Sequence, residues 1–386
     1  MNAKITYWTR NFVLLFIVQL LDCFSFNVLN SQLGIFVKHL GGNNRAVGFC
    51  ASSLVLAMII CRPLGGMLLD RYDRGRVLLF SQCGLAISLY LYCFVDKVPG
   101  LIAIRALHGI FWAVSATACS TIAAGIIPQD RLGEGIGMFT LSVGIAMGFA
   151  PSTGFFLADR YSFQAMFLTN TGAVLLALIF TAALRLPAAQ SRPSSPEPSP
   201  FLFPSALPSS ALILLVGLAG SSISAFLPLY AQGLGARSAV PFFTSSSIMV
   251  LLSRPLAGRL VDRFSAVSIA FPSFFIYIVA YELIVCAPFH EWMPTAAVLH
   301  GLAFGSLLGS LQVLSLRRAN TYQFGAATAT FFLGLDIGNG IGPLVAGLLA
   351  DRFNYRTMYS CMALALFFGL VCSALLILRE KKNATI

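Results

Sequence analysis

RPLGGMLLDRY at 62–72 is matched by RPLAGRLVDRF at 254–264, identical at seven of eleven positions and displaced by 192 residues. The same displacement relates Leu107-His108-Gly109 to Leu299-His300-Gly301, and LADRY at 157–161 to LADRF at 349–353. Three matches at one offset mark a tandem duplication. One stretch between the copies, 187–209, is crowded with Pro and Ser; such a composition buries no core and reads as a flexible linker. The expected organisation is a six-helix bundle over 1–186, a cytoplasmic linker over 187–209, and a second six-helix bundle with a short basic tail over 210–386.

The surroundings of these repeats decide the solvent. Of 386 residues, 58% are hydrophobic and 10% charged, with a mean hydropathy of +0.83, where a soluble domain carries about 25% charged residues. A hydrocarbon core about 30 Å thick needs about 20 apolar residues per helix. Stretches of that length recur roughly over 12–37, 47–69, 77–95, 100–126, 135–158, 163–184, 210–232, 239–258, 267–287, 293–316, 323–350 and 357–378. The reading is an all-α membrane protein with twelve transmembrane helices in two pseudo-symmetric six-helix bundles.

A net charge of +11 would suit nucleic acid, but the placement of the charges does not. With a cytoplasmic N-terminus, 15 of the 25 Lys and Arg fall in inside segments, 7 outside and 3 within spans. This is the positive-inside bias, and it puts both termini in the cytoplasm of a multi-pass inner-membrane protein. The nine cysteines form no Cys-x-x-Cys pair and lie almost wholly in apolar spans, so they read as packing residues, and neither metal nor cofactor is expected. With no nucleotide loop, metal-spaced cluster or nucleophile elbow, enzymatic activity is not expected either.

The segment 66–76, GMLLDRYDRGR, resembles the helix 2–3 loop signature of the major facilitator superfamily, with Asp73 at its usual second glycine and Gly75 at one of its basic positions. Arg105-Ala106-Leu107-His108-Gly109 resembles the superfamily's helix 4 signature, with His108 where Gln is common. GIAMGFAPSTG at 144–154, carrying Gly144, Gly148, Pro151 and Gly154, resembles the helix 5 signature of its antiporter branch, with Ala150 before the proline. The resemblance covers nearly the whole chain. It implies the major facilitator fold and the exchange of protons for drugs, sugars or metabolites; proton-coupled uptake of a sugar or carboxylate is the alternative, and a non-transporting sensor or scaffold a weaker one.

Charged groups inside a bilayer cost at least ~2.5–3.5 kcal/mol on insertion scales, so they are functional candidates. Asp22 lies about 15 Å from the cytoplasmic edge of its helix, counting 1.5 Å per residue, and Arg105 lies about 8 Å in from the outside. An Asp22 shared between desolvation and Arg105 suits proton coupling; the alternatives are a fixed Asp–Arg pair and no contact. Asp336, in the glycine-rich GLDIGNGIGP at 334–343, is either a second proton or substrate residue or a local cap. Gly66, Asp70, Arg71 and Arg74, with Gly258, Asp262 and Arg263, are expected in loops that gate the cytoplasmic side, or else only set topology. Gln19, Asn27, Asn30, His108, Trp112, Ser221 and His300 form the candidate substrate cavity, although the two histidines also read as interhelical hydrogen-bond partners. Partners are a small solute, protons and lipid, with the chain acting as a monomer. A reporter fused after Lys382 is expected to stay cytoplasmic and one in the 96–100 loop to be exported; an exported C-terminal reporter would refute the even number of spans.

Overall fold

A computed structural model describes residues 8–186, 200–234, 240–286 and 289–384; the linker segment 187–199, Lys4 and Arg237 lie outside them. Among the described residues there are twelve α-helices and no strand. They are α1 (Arg10–His39), α2 (Asn44–Arg71), α3 (Arg74–Leu91), α4 (Val98–Ile126), α5 (Leu132–Arg160) and α6 (Phe163–Ala182), then α7 (Leu207–Gly233), α8 (Val240–Arg263), α9 (Ala266–Cys286), α10 (Phe289–Arg317), α11 (Phe324–Arg352) and α12 (Tyr355–Ala384).

Several of the short connections supply a side-chain cap where the next helix starts. Asn43 accepts from Ala46 N (3.0 Å), Asp73 from Arg76 N (2.8 Å) and Ser162 from Ala165 N (3.0 Å), each side chain taking an N–H that the helix itself cannot satisfy. Asp73 stands where the loop signature usually has glycine, and its carboxylate starts α3.

Eleven helices are long and apolar enough to cross a membrane; α8 falls short on composition. It carries the run Thr244–Ser247 and then Ser253-Arg254. Ser246, Ser253 and Arg254 are buried, while Ile248, Leu252 and Leu256 are more than half exposed. Ser246, Ser253 and Arg254 thus face the packed interior while Ile248, Leu252 and Leu256 face outward, the arrangement hydrocarbon favours. Its 24 residues span about 36 Å, enough to cross.

The chain forms two compact units. One holds Met1–Pro128, Ser142–Phe203 and Ala319–Thr330, and therefore α1–α4, α6, most of α5 and the first turns of α11. The other holds Gln129–Leu141, Pro204–Arg318 and Phe331–Ile386. Their internal packing repeats. In the first, α2 and α3 lie on α4, α1 and α3 on α6, and α1 on α4; in the second, α8 and α9 lie on α10, α7 and α9 on α12, and α7 on α10.

The Leu-His-Gly repeat now has a physical cause. A Cβ on Gly109 would lie 2.5 Å from Leu54 O, and one on Gly301 would collide with Ser246 O. Leu54 and Ser246 are themselves 192 residues apart, so each copy needs glycine where α4 crosses α2, or α10 crosses α8. Gly109→Val and Gly301→Val are expected to lower the thermal midpoint in detergent by overpacking, about 1–3 kcal/mol each. Gly148→Ala, where no atom lies within 4 Å, should leave the midpoint nearly unchanged.

Candidate functional site

Two carboxylates close off helix ends. Asp70 accepts from Gly325 N (2.8 Å) and Ala326 N (2.9 Å) at the start of α11, and Asp262 accepts from Gly133 N and Glu134 N (2.7 Å each) at the start of α5. A carboxylate at a helix N-terminus satisfies orphan N–H groups and meets the positive end of the dipole. Gly66 permits the approach: a Cβ there would lie 2.8 Å from Gly325 O, and Gly258 stands in the same relation to Gly133. Asp70 and Asp262 lie in the last turns of α2 and α8 rather than in loops, because both helices run farther than their apolar stretches.

The arginines divide differently from expectation. Arg74 donates to Leu69 O (3.4 Å) and to Thr321 O, joining the Asp70 end. Arg71 and Arg263 instead lie over the rings of Tyr72 and Phe264, at 5.9 and 5.5 Å. The cation at Asp262 is Arg317, at 2.8 Å, with Glu134 paired beside it to Arg131 (2.7 Å) and Arg259 (3.0 Å). These four residues were missed. Gly133 and Gly325 share the 192 offset and could have been found by extending the repeat alignment; the ion pairs around Asp262 have no counterpart to align.

Asp22 is buried, 2% exposed, where α1, α3 and α4 meet. It accepts from Ser115 Oγ (2.8 Å) and Gln82 Nε2 (3.2 Å). Gln82 Oε1 accepts from Thr181 Oγ1 (2.7 Å) on α6, which turns the amide's N–H₂ toward Asp22. Arg105 is not a partner. Its guanidinium donates to Asn30 Oδ1 (2.9 Å) and Cys50 O (3.3 Å). The reason lies along the α1/α4 seam. Asp22, Phe26 and Asn30 follow at four-residue steps on α1, and Arg105, His108, Trp112 and Ser115 share a stripe of the antiparallel α4. Asp22 meets Ser115 at one end, Asn30 meets Arg105 at the other, and the eight residues between Asp22 and Asn30 span about 12 Å.

The middle of the seam is aromatic. Phe26 stacks on Trp112 with centroids 4.2 Å apart and planes at 13°, and His108 lies edge-on to Phe26 and accepts or donates at Nδ1 with the Tyr92 hydroxyl (3.3 Å). Asn30, His108 and Trp112 are thus brought together. Gln19 and Asn27 instead bond within α1, to Cys23 Sγ (3.1 Å) and Cys23 O (2.8 Å). In the other unit Ser221 bonds Leu218 O (3.1 Å) within α7, and His300 joins Ser246 Oγ (2.7 Å) and the Tyr277 hydroxyl (3.4 Å). Asp336 is buried on α11 in that unit. Of the helix 5 motif, Gly144 is buried, Pro151 lies inside α5, and Gly154 faces α1, a Cβ there lying 3.0 Å from Ser31 Oγ.

A family model for the Major Facilitator Superfamily matches residues 15–281 and 210–385. The chain belongs to the Major Facilitator Superfamily. It is therefore a multi-pass membrane protein of a family of secondary transporters for small molecules, not an enzyme. It is 27% identical to a multidrug resistance protein MdtG of Serratia proteamaculans, over 96% of this chain and 94% of that protein. It is 24% identical to the multi-drug resistance efflux pump PmrA of Streptococcus pneumoniae, over 94% and 96%. The fold matches that of the transporter FucP solved in its outward conformation, with a TM-score of 0.77 and 16% identity over 94% of this chain and 98% of that one.

Within this family member the Asp262 end is testable by thermodynamic coupling. A double-mutant cycle of Asp262→Asn and Arg317→Gln, read by thermal unfolding, is expected to give about 1 kcal/mol or more. The cycle of Asp262→Asn with Arg263→Gln should give none.

Proposed function

We propose that the protein is a proton-coupled exporter of a small organic solute, acting as a monomer by alternating access in the cell inner membrane, with both termini cytoplasmic. The observation that carries this reading is Asp22. It is an acid buried among membrane-spanning helices, paired with neutral donors rather than a cation. A carboxylate so placed is held by hydrogen bonds alone, so gaining a proton neutralises it at the cost of rearranging only Ser115 and Gln82. Proton uptake on one side of the membrane and release on the other would then bias the conformational cycle. The multidrug names of the curated relatives support efflux, and the positive-inside charge bias supports the orientation.

The helix-end carboxylates fit the gating part. Asp70 ties α2 to the start of α11, and Asp262 ties α8 to the start of α5, so each links elements from opposite halves of the duplicated sequence. Opening toward the cytoplasm requires those bonds to break. The N–H groups they release then face water, which keeps the cost of opening small.

Asp22→Asn retains size and hydrogen bonding but exchanges no proton. In proteoliposomes the variant is expected to lose accumulation driven by a pH gradient while keeping downhill exchange. If it still concentrates solute, Asp22 serves structure and Asp336 becomes the coupling candidate.

A further inference from the structure

Arg105 and Asp22 are both buried charges without an ionic partner, and they differ in one decisive way. A carboxylate can escape desolvation by taking a proton; a guanidinium cannot lose one at any physiological pH. Arg105 is 1% exposed. Its Nε and Nη2 hydrogens go to the Cys50 carbonyl and the Asn30 amide oxygen, and Nη1 is buried with no hydrogen-bond acceptor. No carboxylate lies within ion-pairing distance among the described residues. The acids of the surrounding helices are engaged or remote: Asp22 is held by Ser115 and Gln82, Asp70 caps α11, and Asp159 is exposed at the end of α5. An uncompensated buried cation is one of the most destabilising features a fold can keep.

We propose that Arg105 is the anchor of an anion-binding site on the α1/α4 seam, and that the transported solute is an aromatic organic anion. The proposal rests on the transporter reading above and deepens it. Asn30, which covers the guanidinium, is itself exposed, so the cation lies one side chain below an accessible face. Tyr92 and His108 also face Arg105. When Tyr92 donates to His108 Nδ1 the neutral ring carries its hydrogen on Nε2, adding a second donor near the cation. About two turns along α4 from Arg105, and one from His108, the Phe26–Trp112 stack offers a flat apolar wall. A solute with a carboxylate at one end and an aromatic body matches cation, donor and wall in that order. The acid for proton coupling stays about 12 Å away, at the other end of the seam.

The test uses the full-length chain in detergent and three probes of one shape: naphthoate, its neutral amide naphthamide, and the cation naphthylmethylammonium. Binding is read as a rise in thermal midpoint and as quenching of tryptophan fluorescence, with Trp112→Phe identifying the signal of the seam. Naphthoate alone should bind, and the Trp112→Phe variant should lose most of the quenching. Arg105→Gln should weaken naphthoate binding about tenfold or more, while leaving the unliganded protein as stable as before or more so, because the buried charge is gone. Arg105→Lys keeps the charge without the planar fork and should fall between. Equal binding of naphthamide or the ammonium, no binding of naphthoate, or unchanged naphthoate binding to Arg105→Gln would overturn the site. Should Arg105→Gln fail to fold, the guanidinium is a structural donor and the proposal falls, unless the unaltered protein selects naphthoate over naphthamide through Trp112, which upholds it. Naphthoate that binds but is not moved by a pH gradient refutes the transport reading and leaves the site standing; solutes of other charge that accumulate while naphthoate does not bind do the reverse.

Discussion

Hydrocarbon offers no hydrogen bonds, and the buried polar groups of the described helices are placed in answer to that fact. The backbone responds by forming helices almost from end to end, and the side chains respond by turning inward. Arg62, Arg105 and Arg254 are each no more than 3% exposed, whereas Phe80, Ile60, Leu252 and Leu348 are more than 60% exposed. In α8 the constraint works against composition: the least apolar of the twelve helices keeps Ser246, Ser253 and Arg254 buried. Helix ends obey the same rule. Where a helix begins beneath the surface, a carboxylate from another helix supplies the missing acceptor, as Asp70 does for α11 and Asp262 for α5.

That constraint also sorts the two charges of the α1/α4 seam. If Asp22 and Arg105 paired, they would neutralise one another and leave a stable but inert crosslink. The seam keeps them at opposite ends, each bonded to a neutral partner, with stacked aromatics between. Asp22 is then free to change its charge and Arg105 is obliged to keep its own. The proposed proton site and the proposed anion site thus occupy opposite ends of one seam, a division that a salt bridge would have abolished.

The helical fold was legible in the sequence because its signals are long: twenty-residue apolar stretches and an offset repeated three times. Asp70, Asp262 and their glycines were legible because they lie inside that repeat. The partnership of Asp22 was not. Depth counted along separate helices left a gap of several ångströms between it and Arg105, and depth says nothing of which face a residue takes. Gln82, Ser115 and Thr181 carry the local geometry of Asp22, yet each is a common polar residue in a span, with no spacing that marks it. Arg71 and Arg263 lie apart from the carboxylates beside them for a related reason. Both directly follow a capping aspartate, and in a helix the next residue points about 100° away, toward the neighbouring ring rather than the capped helix end.

Duplication preserved the geometry of the two helix-end caps and let their electrostatics diverge. The aspartate, the close-approach glycine and the two capped N–H groups occur in both copies at the 192 offset. Glu134, however, corresponds to Ala326, Arg259 to Met67 and Arg317 to Gly125. The Asp262 cap therefore sits in a network of two acids and three cations, and the Asp70 cap rests on helix N–H groups with Arg74 alongside. Hydrogen bonds to backbone are short-ranged and fail together when a helix moves by an ångström or two. Ion pairs between long side chains tolerate such motion and weaken gradually with distance and salt. The two caps thus share their backbone hydrogen bonds and differ in the ion pairs around them, a difference carried by Glu134, Arg259, Arg317 and also Arg131, which corresponds to Gln323.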